Sequence, residues 1–203
     1  KKIEVYNALL AAAKKGRIST ARLDQSVKRI LKSKQACRAF DWRFVDVDAV
    51  ATIVGQDDHK QLAQTIASQA ITIVTNRNDI LPLKLRKETA VLVISPSSAL
   101  STLFKVQHAN TIDMRISEDK QALRQLSYQA NNVDVVVAGI TNSQQANLIL
   151  RLSAATKTPI IVIALGSPYV LRRCPDVNAA LAAYDEHDAS LQGAVAVILG
   201  KSK

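Results

Sequence analysis

The sequence has few of the residues that usually build special sites. Among 203 residues there are 6 glycines, 5 prolines, 2 cysteines and 3 histidines, and aromatic residues make up 4%. Cys37 and Cys174 lie far apart and form no C-x-x-C pair, and the histidines are not clustered. This spacing predicts neither a disulfide nor a metal site, and we expect idle thiols and no metal ion.

Several binding motifs are also missing. No G-x-G-x-x-G, P-loop or G-x-S-x-G run occurs, so nucleotide binding and an α/β-hydrolase nucleophile are not indicated, and we expect no cofactor. No apolar run is long enough to span a membrane. The chain does not begin with Met, and its Ala-rich run at 8–13 does not read as a signal peptide. Either a cytoplasmic or an exported location remains open.

Positive charge is concentrated at the front. The net charge is +10, and residues 1–43 contain 12 of the 27 basic residues but 3 of the 17 acidic ones. A basic block of this kind can bind nucleic acid or an acidic surface. No aromatic residues alternate with these charges as stacking platforms, which favours a solvated helix surface or a surface matched to a neighbour. We therefore expect no nucleic-acid partner, and keep a stand-alone binding module as an alternative.

The front residues are predicted to form two helices. Val5, Leu9 and Leu10 recur at helical spacing, and Gly16 is a candidate C-terminal cap. Ser19 is a candidate N-cap for a second helix. The second helix has one apolar stripe, formed by Leu23, Val27, Ile30 and Leu31. Two helices with one stripe each cannot form a core alone, so we expect them to lean on something else.

The remainder alternates between apolar runs and helical segments. After a short helix near 47–54, a helix at 59–70 and a strand at 71–75, strands are predicted at 90–95, 133–140, 159–165 and 178–184, with a weaker one at 111–116. Helices are predicted at 98–106, 118–130, 143–155 and 189–199. Nearly continuous apolar strands imply helices on both sheet faces. The pattern predicts a three-layer αβα sandwich with a mostly parallel sheet, of flavodoxin or Rossmann type.

In such a sheet, ligands bind beyond the carboxyl ends of the strands. The loops expected there are 96–99, 116–119, 139–145, 166–169 and 185–188. The last is a charged cluster in which Asp185, Glu186 and His187 are weak candidates for acid–base or metal chemistry. The favoured interpretation is a solvated loop, with Asp188 capping the final helix. From the residues alone, no catalytic residue is assigned.

The most patterned stretch is KKGRISTARLDQSVKRILKSK at 14–34. It resembles, almost position for position, a K-x-G-x-I-S-x-x-R-(L/I)-(D/N)-x-S-V-x-R-I-L-x-x-K run in glycoside hydrolase family 3. Three later segments also resemble that family, at 59–83, 159–171 and 177–200. In the family, the first run forms the closing helices of a TIM-type catalytic barrel, and the later segments belong to its second domain.

The resemblance implies a domain organisation. Residues 1–36 would be the terminal helices of a barrel that lies outside this sequence, 37–58 a linker, and 59–203 the C-terminal α/β sandwich domain. The implied partners are the protein's own N-terminal barrel and, in the intact enzyme, a glycan. The segment alone is expected to be inactive, because nothing in it matches the family's nucleophile Asp or the barrel loop that supplies a His acid/base in β-N-acetylglucosaminidases.

The resemblance leaves the substrate open between two branches. In many family β-glucosidases the acid/base carboxylate comes from a second-domain loop, and the corresponding region here is the brief 114–119 turn. Glu118 is a weak candidate for that role, although it lies at a predicted helix start. The shortness of the turn favours the branch that hydrolyses terminal β-linked N-acetylglucosamine in cell-wall-type glycans. The alternative is a β-glucosidase C-terminal domain.

Overall fold

The computed structural model describes residues 1–41, 46–116 and 120–201 of the chain. They form two compact units, Lys1–Gln56 and Asp57–Lys203. The assignment of barrel helices, linker and sandwich domain drawn from the sequence stays a prediction. Within the described residues, no helix combines the length and the apolar character needed to cross a bilayer.

The first unit contains three helices, α1 (Lys2–Lys14), α2 (Thr20–Ala36) and α3 (Val47–Ile53). Gly16 follows α1 with a left-handed φ of 71°, and its N–H donates to the Ala13 carbonyl. The Ser19 hydroxyl caps α2 by accepting the N–H of Arg22 at 3.2 Å. Both helix ends are therefore formed by the residues that the sequence indicates.

None of these three helices has a buried residue. The apolar stripe of α2 remains between 39% and 55% exposed, and Ile3, Val5, Tyr6 and Leu9 on α1 are more than half exposed. Apolar stripes normally cover a core. This unit therefore presents large apolar side chains that nothing in the described residues buries.

In the second unit, six strands of the described chain form one sheet. They are β1 (Thr72–Asn76), β2 (Val91–Ser95), β3 (Thr111–Arg115), β4 (Val135–Ile140), β5 (Ile160–Ala164) and β6 (Ala179–Ala182). The spatial order is β1-β6-β5-β4-β2-β3. All neighbours are parallel except β1, which pairs antiparallel with β6. The five parallel strands thus have the order of flavodoxin-like sheets.

Helices cover both faces of this sheet. The helices are α4 (Asp57–Ala70), α5 (Ala99–Gln107), α6 (Lys120–Ala130), α7 (Ser143–Ala155) and α8 (Asp188–Ile198). One core cluster joins the sheet to α6 and α7, and the other joins it to α5 and α8. Every residue of β2, β4, β5 and β6 is buried. The predicted three-layer sandwich with a mostly parallel sheet is confirmed.

The crossover from β5 to β6 contains no α-helix. It is a 3-10 helix, Pro168–Arg173, in which Val170 and Leu171 are buried and their neighbours are exposed. The predicted start of α6 remains untested. The helix predicted to begin at Glu118 is described from Lys120 onward, and Glu118 itself lies outside the described residues.

The sheet depends on a close approach at Gly139 in β4. A Cβ placed there would lie 2.8 Å from Leu165 Cδ1, 3.1 Å from Leu100 Cδ2 and 3.3 Å from Ser95 Cβ. The distance to Leu165 is too short for an added Cβ without displacement of that side chain, and the other two are tighter than most carbon contacts. The side chains of Leu100 and Leu165 therefore meet directly over the backbone of β4.

We expect Gly139→Ala to lower the free energy of unfolding by about 1–3 kcal/mol, because the added methyl overpacks this contact. Urea unfolding followed by circular dichroism measures the change. The matched control is Gly166→Ala, where the nearest atom to an added Cβ is the Thr141 carbonyl oxygen at 3.8 Å. A Gly139→Ala protein as stable as the control would contradict the packing described here.

Candidate functional site

The carboxyl ends of the parallel strands bring together the loops in which a ligand is expected. In a flavodoxin-like order, the favoured crevice lies at the switch point between the two strands from which the chain departs in opposite directions. Here these strands are β2 and β4, which pair directly. Leu100 and Leu165 pack against Gly139 of β4 on the α5/α8 face of the sheet. A groove lies one strand further along, between the ends of β4 and β5.

The start of α7 organises one wall of this opening. Asn142 is the N-cap, and its side-chain oxygen accepts the N–H of Gln145 at 2.9 Å. Gln145 is 9% exposed, and its amide oxygen accepts the N–H of Thr141 at 2.8 Å and the Thr141 hydroxyl at 3.1 Å. These reciprocal bonds resemble a capping box shifted by one residue. They hold the loop after β4 in one conformation.

The 3-10 helix after β5 forms the other wall. Tyr169 is 70% exposed, and the Arg172 guanidinium carbon lies 5.1 Å from the centre of its ring, which is a cation–π distance. Arg173 reaches toward α7, where its Nη1 lies 3.4 Å from Asn147 Oδ1. Both arginine side chains are exposed.

The two walls enclose a groove of about 690 Å³. We call it the β4–β5 groove. From the β4 side it is lined by Thr141, Asn142, Ser143 and Gln144, and from the β5 side by Ser167, Tyr169, Val170, Arg172 and Arg173. No carboxylate is among these lining residues. Its lining side chains offer hydroxyl, amide and guanidinium groups beside a larger apolar surface, and its formal charge is positive.

The charged loop after β6 has a different character. Asp185, Glu186 and His187 are all exposed there, and Asp185 Oδ1 accepts the backbone N–H of His187 at 2.9 Å. Asp188 is the first residue of α8 rather than its cap, since His187 occupies the N-cap position. The structure therefore corrects the cap suggested by the sequence. A catalytic role for the three candidates stays an untested prediction.

Tyr184 introduces backbone strain at the same strand end. Its φ is +68°, a left-handed conformation that costs about 1 kcal/mol for a residue with a side chain. Its hydroxyl lies 2.9 Å from the Thr72 hydroxyl on the edge strand β1. This bond links β6 to the only antiparallel strand among the described residues.

Among the described residues, no group of three or more His, Cys, Asp or Glu side chains lies close enough together to hold a metal ion. The cysteines are separate, with Cys37 exposed and Cys174 buried. Burial raises the pKa of the Cys174 thiol to about 11. Its sulfur lies 3.4 Å from the Ala146 carbonyl oxygen, beneath the 3-10 helix.

Solved structures of similar fold cover nearly the whole chain. A glycoside hydrolase family 3 β-N-acetylglucosaminidase from Paenibacillus sp. matches 97% of this chain and 40% of its own, with a TM-score of 0.71 and 24% identity. A fungal multi-domain family 3 β-N-acetylglucosaminidase covers 100% of this chain and 24% of its own, with a TM-score of 0.69 and 21% identity. A β-glucosidase from Listeria innocua has a TM-score of 0.64 at 15% identity, covering 95% of this chain and 32% of its own.

Curated sequences match a shorter part. A probable β-glucosidase C of Aspergillus oryzae is 37% identical over 76 residues, which is 37% of this chain and 12% of that protein. A periplasmic β-glucosidase/β-xylosidase of Dickeya chrysanthemi is also 37% identical over 76 residues, with the same coverage. No protein-family model matches the chain. The chain is therefore similar to the C-terminal part of glycoside hydrolase family 3 enzymes, in fold over nearly its whole length and in sequence over 76 residues.

The chain spans about an eighth of the length of the curated relatives in these matches, and 40% or less of the structural ones. The neighbours are larger chains, as expected for one domain of a multidomain protein. The resemblance at 14–34 had indicated this relationship.

Sequence reasoning missed the β4–β5 groove. The sequence places the loops at 139–145 and 166–169 at the ligand-binding edge of the sheet, but it identifies no binding residue in either loop. The groove exists because β4 and β5 are adjacent, which only the strand order reveals. A weak signal was present in the paired Arg172 and Arg173, which follow the apolar Val170 and Leu171 directly.

We expect Asn142→Ala to lower the free energy of unfolding by about 1 kcal/mol, because the N–H of Gln145 loses its acceptor. Asn142→Asp is the matched control, since a carboxylate retains the acceptor and suits a helix N-terminus. Urea unfolding compares the two variants. Equal stability of Asn142→Ala and the parent chain would show that the cap does not hold this loop.

The two thiols should differ sharply in reactivity. At pH 8 in the native state, we expect Cys37 to react readily with a disulfide reagent and Cys174 to react only after denaturation. Cys174 is buried, and its raised pKa leaves little thiolate at that pH. A colorimetric thiol count before and after adding denaturant measures this, with Cys37→Ser as the control. Two rapidly reacting thiols in the native protein would contradict it.

Proposed function

We propose that this chain is the non-catalytic C-terminal region of a family 3 enzyme that hydrolyses terminal β-linked N-acetylglucosamine in cell-wall-type glycans. The supporting observation is the match over 97% of the chain to a β-N-acetylglucosaminidase, with a TM-score of 0.71 against 0.64 to 0.66 for structures of a β-glucosidase. Its role would be to pack on the barrel and to lend a loop to the substrate cleft.

The exposed carboxylates in the loop after β6 support a non-catalytic role. Most retaining glycosidases use two carboxyl groups about 5–5.5 Å apart, one of which holds its proton near neutral pH, and the His acid/base of the β-N-acetylglucosaminidase branch is expected on a barrel loop. Holding that proton requires an environment that excludes water. Asp185 and Glu186 are instead exposed on one loop, and neither lines the β4–β5 groove. We therefore place the chemistry in the barrel.

The helices of the first unit support packing against such a barrel. Four stripe residues of α2, Leu23, Val27, Ile30 and Leu31, are exposed between 39% and 55% in the described chain. Each large aliphatic side chain contributes roughly 1.5–3 kcal/mol when it becomes fully buried. A barrel domain of the same protein would supply the apolar surface that these side chains lack.

A β-glucosidase parent is the second candidate. The curated relatives named above at 37% identity are described as β-glucosidase or β-glucosidase/β-xylosidase. These identities exceed the 24% shared with the bacterial β-N-acetylglucosaminidase, although they cover only 76 residues. The two candidates differ in the sugar and agree on the domain role.

Hydrolysis of chromogenic glycosides tests the proposal. The 203-residue chain is assayed beside a longer polypeptide that also carries the barrel domain, with a β-N-acetylglucosaminide and a β-glucoside in parallel. We expect release only by the longer polypeptide and preferentially from the N-acetylglucosaminide. Preference for the glucoside would select the second candidate.

Turnover by the 203-residue chain alone would overturn the non-catalytic role. In that case Glu118→Gln, Asp185→Asn and Glu186→Gln, assayed one at a time, would identify the responsible carboxylate. Lys60→Gln, a charge change at an exposed residue of α4, serves as the matched control.

A further inference from the structure

We propose that the β4–β5 groove binds a carbohydrate that carries a carboxylate or phosphate group. Its anionic part would be held by Arg172 and Arg173, and its sugar hydroxyls by the loop after β4. The carbohydrate part of this inference rests on the proposed function, whereas the anion part rests on the groove itself.

The first argument for this proposal is the charge of the groove. Two guanidinium groups line it without any carboxylate among the lining residues, and no salt bridge within the described chain involves either arginine. The protein contact of Arg173 is a long one, at 3.4 Å to Asn147. Most guanidinium N–H donors therefore remain available, and they match carboxylate and phosphate oxygens in two-point geometry.

The second argument is that the two arginines are held in position. Val170 and Leu171 are buried, at 9% and 8% exposure, and fix the short 3-10 helix against the core. Arg172 is further held by its contact with the Tyr169 ring. A guanidinium group that is already oriented loses less conformational entropy on binding than a free surface arginine.

The opposite wall suits the hydroxyl groups of a sugar. Asn142 and Gln144 provide amides there, and Thr141 and Ser143 provide hydroxyls, while Ser167 adds a hydroxyl on the β5 side. The cap formed by Asn142 and Gln145 holds this wall in place. A groove of about 690 Å³ is within the range typical of small-molecule sites.

Tyr169 adds an aromatic surface. Its side chain is 70% exposed, so part of the ring remains open to solvent beside the polar wall. Aromatic side chains present an apolar body with a polar tip, which suits a ligand with both C–H and O–H surface. A bare inorganic anion would leave this ring and the amide wall unused.

Binding is measured by nuclear magnetic resonance shift titration of the 203-residue chain with glucose 6-phosphate and glucuronic acid. Glucose and inorganic phosphate are the comparison ligands. We expect at least one of the acidic sugars to bind at least tenfold more tightly than either comparison ligand, with shifts concentrated at 141–144 and 167–173. Preference between the two acidic sugars identifies which anionic group the site takes.

Variants separate the site from general electrostatics. Arg172→Gln combined with Arg173→Gln should weaken binding at least tenfold. Arg151→Gln, at an exposed arginine on α7 outside the groove, should change it by less than twofold. Circular dichroism confirms that each variant is folded, and each single substitution is titrated as well.

Four outcomes would overturn the proposal. Glucose binding as tightly as the acidic sugars would remove the anion requirement, and phosphate binding as tightly would remove the carbohydrate requirement. Equal weakening by Arg151→Gln would attribute binding to the overall charge of +10. Unchanged binding in the double variant would exclude the arginines. Because no hydrolysis is measured, these results are independent of the glycoside assay.

Discussion

The complete burial of the central strands is the constraint on which the second unit depends. Every residue of β4 and β5 is buried, with Val136, Val137, Ile161 and Val162 at 0% exposure. Strands of this kind need helices on both faces, and their backbone polar groups must pair within the sheet. Polar side chains that serve a ligand are consequently confined to the strand ends. The position of the groove follows from this confinement.

At the carboxyl ends of the strands, the groove lies between β4 and β5. At Gly139, Leu100 and Leu165 pack against one face of β4. Between β4 and β5, the first turn of α7 faces a compact 3-10 helix rather than a full α-helix. The missing helical turns leave room for the groove.

Most of the fold could be predicted from the sequence, because the apolar runs and caps are strong local signals. The strands at β2, β4 and β5 and the helix α7 lie within two residues of their predicted bounds. Ser19 and Gly16 mark helix ends by chemistry that acts over only a few residues. The resemblance to family 3 could likewise be recognised from the contiguous run at 14–34.

The groove could not be predicted in the same way, because it depends on which strands are neighbours. Thr141 and Arg172 are about thirty positions apart in the chain, and no local pattern connects them. The antiparallel pairing of β1 could not be predicted either, because the residue pattern of a five-residue strand does not indicate its direction relative to a neighbour. The predicted Asp188 cap was wrong by one residue, which is the usual uncertainty of helix ends.

The 3-10 helix after β5 separates residues that fix the fold from residues that face a ligand. Its buried positions, Val170 and Leu171, anchor the segment, whereas Tyr169, Arg172 and Arg173 face outward. Substitution of an exposed side chain away from a core contact usually changes stability by less than about 0.5 kcal/mol. The exposed residues can therefore change without disturbing the buried ones, so that ligand preference can vary while the sandwich beneath stays intact.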